Sequence, residues 1–240
     1  MIDVNRPTAT PRVPAGVALQ FDAGLRRHML AVYNHMGVGL VVTGVTAFAI
    51  ASTPALAQAI FGTPLKWVAM LAPLAFIFLM QLRMERMSAA SLRTTFIAFS
   101  AVMGVSLASV FLVFTGASIA RTFFIAASMF LATSLWGYTT KRDLSRAGTF
   151  LIMGLIGVVI ASLVNLFLGS TIVQLVVSLV GVIVFTGLTA YDTQKAKSDY
   201  LAYAGTEHAA KLAVMSALSL YLDFINLFQM LLAFLGQRED

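Results

Sequence analysis

Residues 149–191 read TFLIMGLIGVVIASLVNLFL-GS-TIVQLVVSLVGVIVFTGLTAY, and no charged side chain interrupts them. A helix on the surface of a water-soluble domain carries a polar face, and a half-buried strand alternates; this stretch does neither. A membrane span takes about 20 mostly apolar residues, so the stretch has the length of two crossings. Gly169 and Ser170 mark a tight turn between them. Barrel strands would alternate over about ten residues. Helices satisfy their own backbone groups in lipid, so helices are the expected element.

Working outward, further apolar runs of spanning length lie at about 33–52, 65–82, 92–115, 122–140 and 213–235, making seven with 149–168 and 172–191. Pro54, Gly62 and Pro64 separate the first two; Arg83, Glu85 and Arg86 the next; then Gly116 and Arg121, and then Lys141, Arg142, Asp143 and Arg146. The longest connection expected is 192–212, with Lys195, Lys197, Asp199, Glu207, His208 and Lys211. The chain is 59% hydrophobic and 11% charged, where a soluble domain needs roughly 25% charged residues. The fold class is therefore an all-α integral membrane bundle of seven helices, over 29–236. Residues 1–28, with Pro7, Pro11 and Pro14, are expected to form a disordered cytoplasmic arm that is not cleaved, and 237–240 a short tail.

Lys and Arg alternate between connections. Arg6, Arg12, Arg26 and Arg27 precede the first span; Arg83, Arg86 and Arg93, then Lys141, Arg142 and Arg146, then Lys195, Lys197 and Lys211 follow the even ones. The odd connections hold only Lys66 and Arg121. The positive-inside rule then makes the N-terminus cytoplasmic. The same placement explains the net charge of +6 without nucleic acid. No cysteine is present, which excludes disulfides and thiol chemistry.

Ionisable groups inside spans are costly and mark candidate sites. Asp223 is the clearest, and Ser216, Ser219, Asp223 and Asn226, spaced by three, four and three, share one helix face. The stripe is either a polar pathway or a hydrogen-bonded brace between helices. Asp192 ends the sixth run behind Thr186 and Thr189, and Asn165 is a third polar group at depth. Arg83 is either a topology anchor or a partner for a carboxylate at the same membrane face. His28, His35 and His208 fall in terminal or loop regions without ligand spacing, so zinc is not expected. Lys211 stands too near the helix entrance for a retinal Schiff base. No cofactor is implied.

Leu82-Arg83-Met84, Trp136-Gly137-Tyr138-Thr139-Thr140-Lys141-Arg142-Asp143-Leu144, Ala190-Tyr191-Asp192-Thr193-Gln194 and Ala217 to Phe228, read as ALSLYLDFINLF, form a set of motifs. With them the chain resembles the Bax inhibitor family, from about Arg27 to Gly236, and looks like a short bacterial member of the cytoplasmic (inner) membrane. The resemblance implies six helices around a central last one. It also implies a pH-sensitive calcium leak in which Asp192 and Asp223 form a proton-sensing pair, with Arg83 as the associated arginine and calcium passing near the two aspartates. Some bacterial relatives instead restrain a membrane-anchored protease, which makes such a protease the alternative partner. An intramembrane aspartyl protease is disfavoured, because Leu220-Tyr221-Leu222 precedes Asp223 where those enzymes carry Gly-x-Gly; no enzyme is expected.

Helix geometry raises a difficulty for the pair. If water ends near Val214, Asp223 lies about 14 Å deep, whereas Asp192 is only about 7 Å from Lys197 at 1.5 Å per residue. Tilt or a kink is expected to bring the two together, if they meet.

Overall fold

The computed structural model describes residues 15–238, with side chains described from Ala23. Residues 1–14 of the expected arm and 239–240 of the tail lie outside the described residues. Eight α-helices follow among them: α1 (Ala15–Ala51), α2 (Pro54–Phe61), α3 (Leu65–Arg83), α4 (Ala89–Val113), α5 (Gly116–Thr139), α6 (Ser145–Leu168), α7 (Thr171–Tyr203) and α8 (Glu207–Leu235). All but α2 are long and apolar enough to cross a membrane. The chain is an all-α membrane bundle, and much of its surface is apolar: Phe150, Phe167 and Ile172 are among the exposed side chains.

Three features differ from the reading of the sequence. First, residues 15–28 are helical, so α1 starts well before the apolar run. Leu25 and Met29, one turn apart, pack with Ala196, Tyr33, Tyr138 and Tyr200, and this contact gives the polar end of the helix something to bury against. Second, the connection expected at 192–212 is only 204–206. α7 runs on to Tyr203 because Thr189, Thr193 and Ala196, three to four residues apart, keep one face buried while Lys195 and Ser198 face out. α8 starts at Glu207, with Thr206 Oγ1 accepting from the Ala209 N–H and an acidic residue in the first turn. Third, His28 and His35 therefore belong to α1 and His208 to α8, rather than to an arm or loop.

The turns are short and chemically specified. Between α6 and α7, Gly169 adopts φ 61°, a left-handed conformation that disfavours a side chain, and Asn165 Oδ1 accepts from the Ser170 N–H. α4 and α5 are capped by Ser88 and Thr115 hydroxyls. The residues after α8 fold back on that last cap: Thr115 N–H donates to Gln237 O, and Gln237 N–H to Ser118 Oγ.

α8 is the most buried span and packs against α1, α4, α5 and α7, whereas α3 packs chiefly on α4 and α6 on α7. Its Tyr221 is fully buried, edge-on to Phe96 and Phe99 of α4. Thr43 Oγ1 of α1 gives its proton to Ser100 O at 2.8 Å, so the Tyr221 hydroxyl donates to Thr43 at 2.6 Å. Three helices thus share one satisfied polar network inside an apolar core. Close approach depends on glycine: a Cβ at Gly104 would lie 2.6 Å from Thr43 O, and one at Gly137 would collide with Ala190 O.

Candidate functional site: an aspartate pair beneath a polar vestibule

α7 and α8 are antiparallel neighbours joined by three residues. The Tyr203 and His208 rings meet near the turn, with centroids 4.6 Å apart, and Met230 packs on the backbone at Gly181 far from it. These two contacts set the register and put Asp192 level with Ser219, one turn short of Asp223. Side chains on a helix lean toward its N-terminus. On α7 that lean carries the Asp192 carboxyl deeper; on α8 it carries the Asp223 carboxyl back toward the turn. The two groups therefore converge across a gap of about 6 Å along the axis. The two carboxyls act on each other as direct neighbours. The lean of the side chains supplies what tilt or a kink was expected to supply.

Asp223 is 4% exposed, and its Oδ2 takes no hydrogen bond from any N–H or hydroxyl donor among the described residues. Asp192 is half-buried and opens to a cavity of about 270 Å³. Ser216 and Ser219 line that cavity together with Gln81, Lys195, Asp199, Tyr203 and His208. Its rim is tied across helices. His208 Nδ1 lies 3.9 Å from Glu85 Oε2, and Lys211 Nζ donates to Glu85 O at 3.2 Å.

Arg83 ends α3 and is exposed; it makes no ion pair with either aspartate among the described residues. The cation acting on Asp192 is Lys195, one turn along α7. Lys195, Asp199 and Tyr203 continue the face of Asp192 at three, seven and eleven residues, a helical signal inside a segment that reads by hydropathy as a loop.

The remaining polar candidates separate. Asn226 Nδ2 donates to Leu222 O of its own helix at 2.8 Å. Asn165 sits at the α6–α7 turn and lines a second cavity of about 480 Å³, with Ser162, Gln174, Ser178 and Gln229. That cavity lies at the end of α7 opposite to the vestibule. Gln229 follows Asn226 by three residues, so the polar stripe of α8 extends from Ser216 to the second cavity. Asp223 and Gln229 are about 9 Å apart along the helix axis. Just past Asp223, Phe224, Ile225 and Phe228 line a small apolar cavity with Leu107 and Phe111 of α4 and Phe123 of α5.

The family model described as "Inhibitor of apoptosis-promoting Bax1" matches residues 25–240. The chain belongs to the Bax inhibitor family. Among its relatives is the inner membrane protein YbhL of Escherichia coli strain K12, 45% identical over 224 residues that cover 92% of this chain and 96% of that protein. A Rickettsia prowazekii protein, "Uncharacterized protein RP147", is 47% identical over 220 residues, 92% of this chain and 93% of its own. An "Uncharacterized membrane protein" of Streptococcus pyogenes serotype M1 is 33% identical over 223 residues, covering 92% and 96%. The Bax inhibitor family match spans both aspartates, the vestibule and the seven long helices from residue 25 of α1 onward.

Proposed function

We propose that this chain is a pH-sensitive calcium leak pathway of the inner membrane, gated by Asp192 and Asp223. The observation that carries the reading is the meeting of the two carboxyls at the floor of a polar vestibule. A hydrogen bond between two carboxyl groups needs a proton between them. In a site of low dielectric, loss of that proton leaves two like charges facing each other, and their repulsion favours separation of α7 from α8. Protonated, the pair is a latch; ionised, it is a wedge and a pair of hard oxygen ligands of the kind calcium prefers. Ser216 and Ser219 lead an ion in. Asn226 and Gln229 lead toward Gln174, Ser178 and Asn165 at the far side. The apolar side chains packed around this short interval hold the path shut in the arrangement described here, as a dewetted constriction does. The basic ends of the helices favour a cytoplasmic vestibule, and the inner-membrane relative YbhL supports the compartment.

The test is calcium flux into liposomes holding purified protein, measured across pH for wild type and Asp223→Asn. Wild type is expected to pass calcium to an extent that changes with pH, and Asp223→Asn to lose the pH dependence while remaining folded. Folded wild-type protein that passes no calcium at any pH would remove the channel reading. A non-enzymatic regulator holding a membrane-anchored protease would then stand in its place. The thinly covered face of α6, where Gly157 has open space around it, is the surface that favours that second reading.

A further inference from the structure

α1 and α5 lie side by side on α7 without packing closely on each other, and the gap between them is a groove of about 690 Å³. Its walls are Leu25, Met29 and Leu30 of α1 and Leu131 and Leu135 of α5. Leu30, Leu131 and Leu135 are more than half exposed, so the groove opens sideways into the hydrocarbon rather than into water. Its length, Arg26 to Tyr33, is about 10 Å. Its floor is a directed chain of hydroxyls. Thr193 Oγ1 donates to Thr189 O at 2.7 Å, so Ser134 donates to Thr193 at 2.9 Å and Tyr33 to Ser134 at 2.6 Å. Every proton in that chain is committed within the protein, which leaves an occupant little to bind there.

The charge sits at one end. Arg26 is the only charged side chain among the described residues lining the groove. Tyr138 forms part of the groove's lining, and Lys197 Nζ lies 5.1 Å from the centroid of its ring and donates to Tyr138 O at 3.2 Å, which puts a second cation behind that wall. Lys141 and Arg142 follow just past the end of α5. An apolar slot open to lipid, with positive charge confined to its interfacial end, complements a molecule with an apolar tail and a negative head. Basic pockets between spanning helices bind anionic headgroups in this way.

We propose that the groove between α1 and α5 is a binding site for an anionic phospholipid, with an acyl chain against Leu30, Leu131 and Leu135 and the phosphate at Arg26. An occupied groove joins α1 to α5 over Tyr33, Ser134 and Thr193, and Thr193 is the residue next to Asp192 on α7. The inference stands whether or not the protein conducts ions.

Delipidated protein in detergent is titrated with phosphatidylglycerol, with phosphatidylcholine of the same chains, and with inorganic phosphate. Thermal unfolding is followed, and retained lipid is counted by native mass spectrometry. Phosphatidylglycerol is expected to raise the unfolding temperature and to stay bound, phosphatidylcholine to bind more weakly, and inorganic phosphate to have no effect. Arg26→Gln should weaken phosphatidylglycerol about fivefold, the contribution of one basic side chain near an anionic surface. Leu135→Trp, which fills the slot from its lipid-facing wall, should abolish retention of either lipid; Leu131→Trp serves if that variant does not fold. Equal binding of the two lipids, a full shift with phosphate alone, or unchanged retention by the filled variant overturns the proposal.

Discussion

At the scale of single residues, the structure separates groups that resemble each other in sequence. Asp143, in the connection between α5 and α6, accepts at Oδ1 from the Ser145 hydroxyl at 2.7 Å and from the Ser145 N–H at 2.9 Å. These bonds hold its carboxyl below the usual carboxylate range, with Arg146 adding to the effect. A depressed carboxylate contributes stability above its unfolded value, and the contribution is lost as pH falls through the folded one. A titration of Asp143 by NMR should show its midpoint below that of an unstructured peptide, and Ser145→Ala should return it toward the peptide. The two cations near the vestibule should also differ. Removing a cation beside a carboxylate disfavours its charged form, so Lys195→Met is expected to move the pH midpoint of flux upward. Arg83→Met, exposed at the end of α3, should leave it in place, and a shift with Arg83 alone would reverse this assignment. Gly137→Ala tests packing: the new Cβ would face a backbone carbonyl that cannot rotate away, so destabilisation of about 1–3 kcal/mol is expected in thermal unfolding.

At the scale of elements, hydropathy found the centres of the spans and missed their ends. The continuous apolar run at 149–191 leaves no other reading, because no soluble helix or strand carries it. The first turns of α1 hold Arg26, Arg27 and His28, which depress any hydropathy window, yet Leu25 and Met29 still mark a buried face. Lys195, Lys197 and Asp199 hid the last three turns of α7 in the same way. The resemblance named Asp192 and Asp223 as a pair, but helix arithmetic missed how they meet, for a related reason. Depth measured from an assumed water boundary takes no account of side-chain lean, and in antiparallel helices the lean closes the one-turn offset. Asp192, Asp223, Ser216 and Ser219 were legible one by one; Lys195 and Asp199, which complete the vestibule, were not. Leu25→Ala checks the extension of α1. A disordered arm would not register the change, whereas a packed helix should lose about 2 kcal/mol or more in thermal unfolding.

At the scale of the whole molecule, the ends of the helices sort by charge. The basic ends of α1, α3, α5 and α7 gather at the face of the vestibule, and the α6–α7 turn and the Gln237 contact gather at the other. Reporter fusions at Lys141 and Lys197 are expected to report a cytoplasmic location, and a fusion after residue 240 the opposite side. A cytoplasmic signal at both ends would mean that α8 re-enters rather than crosses, and the path from Ser216 to Gln229 would lose its exit.

Among the described helices, the most buried one is also the last in chain order. A ribosome adding roughly 5–20 residues per second needs about 1.5–6 s to make the 29 residues of α8. During that interval the earlier helices already occupy the bilayer with nothing for Thr43, Phe96 and Phe99 to close upon. The newborn protein is therefore expected to pass through a waiting state whose seam is open to lipid. A premature stop before Glu207 would leave it there.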